Sequence, residues 1–137
     1  MATVLFVSES DTGYSPIASA LFERAAAGRH RALSAGTRPG DRVDPLVVDV
    51  MRALGIDLSE QRPRPVTDKL VKQANVVVTI GDADECPYVP GRLYIEWDLD
   101  EPRSRSIQEL REARDDIGWH ADALVVELDW WVIHGDL

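Results

Sequence analysis

Thr3-Val4-Leu5-Phe6-Val7-Ser8-Glu9-Ser10-Asp11-Thr12-Gly13-Tyr14-Ser15-Pro16 is the stretch on which the fold turns. Its first five residues form a short unbroken apolar run with two valines, which reads as a strand buried on both faces in a parallel sheet. The next eight are polar or small, so the chain leaves the core as a loop. Ser15-Pro16 offers an N-cap followed by proline at the first helical position, and Ile17, Ala18, Leu21, Phe22 and Ala25 recur at helical spacing. A helix start preceded by a tight loop presents free backbone N–H groups and a partial positive charge, so strand, loop and helix in this order predict an anion site.

Working outward, the alternation continues. His30 to Ala35, closed by Gly36, reads as a second strand, and Asp44-Pro45 opens a helix carrying Val47, Val48, Val50, Met51 and Leu54 and stopped by Gly55. A shorter helix spans about Val66 to Gln73. Asn75 to Gly81 is the strongest strand signal, and Arg92 to Trp97 follows as a fourth strand. From Ser106 to Ile133 the residues Ile107, Leu110, Ala113, Ile117, Ala121, Leu124, Leu128 and Trp131 sit three or four apart, so one stripe of a long final helix faces the sheet. The prediction is an α/β protein of three layers, a four-stranded parallel sheet with helices on both faces, residues 1–137 forming one domain. Ligands bind beyond the carboxyl ends of the strands in such sheets, which again selects residues 8–15.

Composition narrows the function. A chain of 137 residues with 45% hydrophobic side chains holds one compact core. A formal charge of −9 with no basic block argues against nucleic acid and anionic lipid as partners. Met1 to Val7 has no basic leader region and no apolar run approaches spanning length, so the expectation is a cytoplasmic protein without membrane contact. Cys86 is the single cysteine and His30, His120 and His134 are scattered, so neither a disulfide, a metal nor another cofactor is expected. Trp130 and Trp131 point about 100° apart on a helix, so one belongs to the core and the other covers the domain edge or serves a homodimer or partner contact.

Val4 to Val7, the loop ending Gly13-x-Ser15, Leu33-Ser34-Ala35-Gly36-Thr37, Asp44-Pro45 and Leu54-Gly55-Ile56-Asp57-Leu58-Ser59 resemble, in order, the low-molecular-weight tyrosine phosphatases and arsenate reductases. Asp84, Cys86-Pro87, Pro90-Gly91 and Trp97-Asp98-Leu99-Asp100-Glu101-Pro102 are more similar to the arsenate-reductase branch. The resemblance implies the low-molecular-weight phosphatase fold and a phosphate loop of the form Cys-x5-Arg-Ser. It implies a thiolate nucleophile at the position of Ser8, an arginine clamp at Tyr14 and a general acid at Glu101. In relatives that use internal thiols, two further cysteines fall near Asp82 and on Cys86.

The departures redirect the expectation. A serine hydroxyl is a poor nucleophile unless a base deprotonates it, and Tyr14 has neither the charge nor the fork of arginine. Two unit charges about 6 Å apart interact by about 3 kcal/mol at an effective dielectric of about 20. Glu9 or Asp11 facing a phosphate would therefore outweigh the ~0.3–1 kcal/mol of a helix terminus. Cys86 alone cannot close a thiol relay. The reading is a catalytically inactive relative that binds an unknown protein or small molecule through Ser8, Glu9, Ser10, Asp11, Thr12, Gly13, Tyr14 and Ser15. The alternative is arsenate reductase or phosphatase activity with a non-standard nucleophile.

Overall fold

The computed structural model describes residues 1–81, 83, 85–102 and 104–135. Its elements run β1 (Thr3–Ser8), α1 (Tyr14–Ala26), β2 (Arg31–Gly36), α2 (Pro45–Arg52), α3 (Asp68–Lys72), β3 (Val76–Ile80), β4 (Leu93–Trp97) and α4 (Ile107–Ile133). All strands are parallel in the order β2-β1-β3-β4. The apolar run that opens the chain is therefore an inner strand, and its alternate residues feed different cores. Val4 and Phe6 join the larger cluster beneath α1, α2 and α4, while Leu5 and Val7 join the smaller one beneath α3. Phe6 is fully buried, with its ring 5.6 Å from Phe22 and 5.4 Å from Trp97.

The helix starts are set by side chains. Asp44 accepts from the Leu46 N–H ahead of Pro45, and Thr67 accepts from the Leu70 N–H. Ser106 and Glu109 form a reciprocal capping box at the head of α4. The exception corrects the sequence reading. Helix α1 begins at Tyr14, two residues earlier than Ser15-Pro16 suggested, with Gly13 as its N-cap and no side-chain cap. Ser15 does not cap because its hydroxyl is engaged beneath the loop. Along α4 the predicted residues Leu110, Ile117, Ala121, Leu124 and Leu128 are buried and Ala113 and Trp131 pack against the larger core, while Ile107 at the head of the stripe is exposed and Trp130 is half exposed. Among the described residues no helix is long and apolar enough to cross a membrane.

A short stretch after β2 fastens the loop. The carbonyls of Ser8, Glu9, Ser10 and Thr12 accept from the N–H groups of Thr37, Arg38, Gly40 and Asp44 at 2.7–3.1 Å. This approach is close enough that a Cβ on Gly36 would come within 2.7 Å of the Glu9 carbonyl and 3.0 Å of the Asp11 nitrogen. Glycine there is a packing requirement.

Candidate functional site

The loop that follows β1 has two sides. On the sealed side, Ser8, Asp11 and Ser15 have no exposed surface. Asp11 adopts the left-handed conformation, with φ at 54°, and this turns its carboxylate under the loop. One oxygen accepts from the Ser15 hydroxyl at 2.7 Å and the other from the Arg64 N–H at 3.2 Å. Ser15 has a single hydroxyl proton and gives it to Asp11, so Ser8 must be the donor in the 2.7 Å contact between the two serines. Ser8 in turn accepts from the Asp11 N–H at 3.1 Å. The expectation that Asp11 would sit in the space of an anion is therefore wrong. The buried Ser15 hydroxyl and the part-buried Arg64 N–H hold its carboxylate behind the loop.

The open side is a cavity of about 1060 Å³. Of the loop, Glu9, Ser10, Thr12 and Tyr14 line it, and Ser10 and Thr12 bond to each other at 2.7 Å. Ser8, Asp11, Gly13 and Ser15 do not, which corrects their assignment as ligand contacts. The opposite wall comes from the turn after β4 and the first turns of α4. Glu101, Arg105, Glu109, Glu112 and Asp116 contribute, with Asp44 from the head of α2. The sequence marks Asp44 only as a helix start, and it gives Arg105 and the α4 carboxylates no place in the site. The spacing of Glu109, Glu112 and Asp116 at i, i+3 and i+7 was a legible sign that one face of α4 turns acidic there.

Glu101, at the position where the resemblance implies a general acid, lines the cavity and also bonds to the loop. Its Oε2 accepts from the Tyr14 N–H at 2.8 Å, and a Cβ on Gly13 would land on its carboxylate. An internal carboxylate thus occupies the start of α1, where free N–H groups would otherwise receive an external anion. Arg105 leans over it. One guanidinium nitrogen donates to the Pro102 carbonyl at 2.7 Å; the other lies 3.6 Å from Asp44 and 3.8 Å from Glu101. The Arg105 guanidinium sits 5.4 Å from the centre of the Tyr14 ring, a cation–π distance, and its buried Nε meets no acceptor among the described residues. Tyr14 thus sits beneath a guanidinium that another segment supplies. Among the described residues no three carboxylate, histidine or cysteine side chains converge as a metal site requires.

Burial pushes the Glu101 carboxyl up, and the bond from Tyr14 and the charge of Arg105 offset only part of this. Burial also raises Asp11 against the bonds from Ser15 and Arg64. A carboxyl with a higher pKa in the folded chain holds more protons there than when unfolded. Its contribution to stability is complete below the ordinary value of 4.5 and is lost as pH rises through the raised value. Glu101→Gln keeps an acceptor for the Tyr14 N–H and removes the proton uptake. Urea titrations between about pH 4 and 8 are expected to show a flatter decline of stability with pH than in the wild type. An unchanged slope would mean that Glu101 titrates as it does in the unfolded chain.

Cys86 is half-buried in the smaller cluster beneath α3, does not line the cavity, and has its thiol pushed up by burial. Asp82 and Asp84 lie outside the described residues.

Comparison with known proteins follows the same lines. The family described as low molecular weight phosphotyrosine protein phosphatase matches residues 3–130. A Staphylococcus aureus arsenate reductase is 29% identical over 118 residues, 84% of this chain and 89% of that protein. The structure of a Corynebacterium glutamicum thioredoxin-dependent arsenate reductase superposes with a TM-score of 0.75 at 32% identity; it covers all of this chain, which spans 64% of that protein's length. The low molecular weight protein tyrosine phosphatase from T. tengcongensis superposes with a TM-score of 0.81 at 21% identity over 93% of this chain and 99% of its own, a likeness of fold.

Proposed function

The chain belongs to the low molecular weight phosphotyrosine protein phosphatase family, and we propose that it is a member that binds a ligand in the loop cavity without turning it over. One observation carries this reading. The backbone donor at the head of α1 is satisfied by the chain's own Glu101 carboxylate at 2.8 Å. The thiol that family chemistry needs at the loop's first position is replaced by Ser8, whose proton is already committed to Ser15. A phosphate entering the cavity would face Glu9, Asp44, Asp100, Glu109, Glu112 and Asp116 with Arg105 as the one cation lining it among the described residues. Arg105 is itself shared with two carboxylates. The cavity therefore suits a ligand group that is neutral or positively charged.

A second reading has its own support. Ser8, Ser15 and Asp11 form a continuous donor chain that ends on a carboxylate, an arrangement able to draw a proton from Ser8. Relatives named arsenate reductase also favour an enzyme. Against it stand the complete burial of Ser8 and, for arsenate reduction by internal thiols, the presence of one cysteine in the whole chain.

Calorimetric titration with phosphate and with arsenate, beside assays of phosphomonoester hydrolysis and thiol-dependent arsenate reduction, separates the two. The expected result is no heat and no turnover. Turnover that Ser8→Ala abolishes would establish the second reading in place of the first.

A further inference from the structure

Helix α4 carries a second stripe that the fold leaves uncovered. Trp119, Val126 and Ile133 are 70%, 69% and 78% exposed, and Trp130, half a heptad on, is 52% exposed. Positions seven apart drift by only about 20° on a helix, so the three form one line about 21 Å long, on the side away from the buried Ile117, Leu124 and Leu128. The rings are already ordered. Trp130 stacks on His134 at 3.8 Å and Trp119 packs edge-on against His120 at 5.5 Å, which lowers the entropy lost on docking.

We infer that this stripe is the interface of an antiparallel homodimer, in which α4 of one protomer pairs with α4 of another about a two-fold axis at Val126. The spacing is self-complementary. Seven residues separate Val126 from Trp119 on one side and from Ile133 on the other, so the two-fold sets Trp119 against the partner's Ile133 and Val126 against the partner's Val126. Asp122 faces the partner's Trp130 in the same register, while the two Asp122 carboxylates stand about 12 Å apart along the axis, beyond the ~8 Å screening length at physiological salt. The four side chains expose roughly 500 Å², more than half of the ~800 Å² that each partner contributes to a standard interface. An anionic membrane is disfavoured as occupant, because the chain carries a net charge of −9. The same charge makes the protomers repel, so association tightens as salt rises.

Sedimentation equilibrium of the full chain at low and at about 0.5 M salt tests the inference. The wild type is expected to approach twice the chain mass at micromolar concentration, more completely at the higher salt. Val126→Arg places two like charges together on the axis and is expected to weaken the dimer by at least about 100-fold, with an unchanged circular dichroism spectrum because the residue is exposed. An equimolar mixture of Val126→Arg and Val126→Glu chains is expected to recover the dimer, since only a two-fold at this residue sets position 126 against itself. If Val126→Arg does not fold, Trp119→Glu mixed with Ile133→Lys provides the same test of register. A wild type that stays monomeric at about 100 μM in both salts overturns the inference, as does a dimer that ignores Val126→Arg or a mixture that fails to re-form.

Discussion

A Ser8→Cys, Tyr14→Arg, Glu101→Gln variant is expected to bind inorganic phosphate at least about 100-fold more tightly than the wild type. The magnitude follows from two changes at one place. Arginine at position 14 adds a charge-assisted, bidentate contact of about 1.5–3 kcal/mol. Neutralising Glu101 removes a like charge from the N–H at the head of α1, where the wild type holds it at 2.8 Å; at an effective dielectric of about 20 and about 6 Å this is worth about 3 kcal/mol. Either change alone exceeds tenfold. The Cys substitution tests the chemistry separately, because a thiol at a helix start ionises more readily than a serine hydroxyl. Calorimetry with phosphate reads the affinity, and Glu101→Gln alone reads the share owed to the carboxylate. A folded triple variant that remains silent would show that the loop has lost the shape of an anion cradle as well as its charges.

Phe6→Ala is expected to cost about 3–5 kcal/mol of stability, the range for removing a buried aromatic side chain. Phe6 has no exposed surface, lies on an inner strand and touches two further aromatic rings, so the cavity left behind cannot be closed by a local shift. Against a total near 5–15 kcal/mol for a native domain, that is a large share. Urea denaturation should show a midpoint lowered by more than about 1 M, given slopes of about 1–3 kcal/mol/M. Phe6→Leu, which keeps much of the volume, should cost about 1.5 kcal/mol or less. Equal losses for the two variants would place the cost in something other than the missing volume.

Strands were the easiest elements to read. Val4 to Val7, within Thr3 to Val7, and Val76 to Val78, within Asn75 to Gly81, are continuous apolar runs because both faces of the sheet are covered. The long helix was readable from its buried stripe, yet the same helix hid a second line through Trp119, since an outward apolar residue breaks no periodicity. The start of α1 was misplaced by two residues. Ser15 has the chemistry of a cap, and only the approach of Ser8 and Asp11 in three dimensions takes its hydroxyl away. Asp11 was misread for a similar reason: its left-handed backbone and its bond from Arg64, 53 positions along the chain, are not local properties. On the wall that faces the loop, the repeat of Glu109, Glu112 and Asp116 marks an acidic face of α4, but nothing local says that this face meets the loop. Arg105 looks like one more surface arginine until the turn after β4 folds it over Tyr14.

The order of the sheet also has a consequence for how the chain is made. Of the four strands of the sheet, the one made earliest is an inner one, and its partners β2 and β3 are encoded later, the second ending only at Ile80. At about 5–20 residues per second, Thr3 to Val7 waits about 4–15 s for its second neighbour. Throughout that interval the run of four consecutive apolar side chains, Val4 to Val7, has at most α1, β2, α2 and α3 to pack against. Until β3 is made, the backbone groups along that second edge of β1 have no native partner.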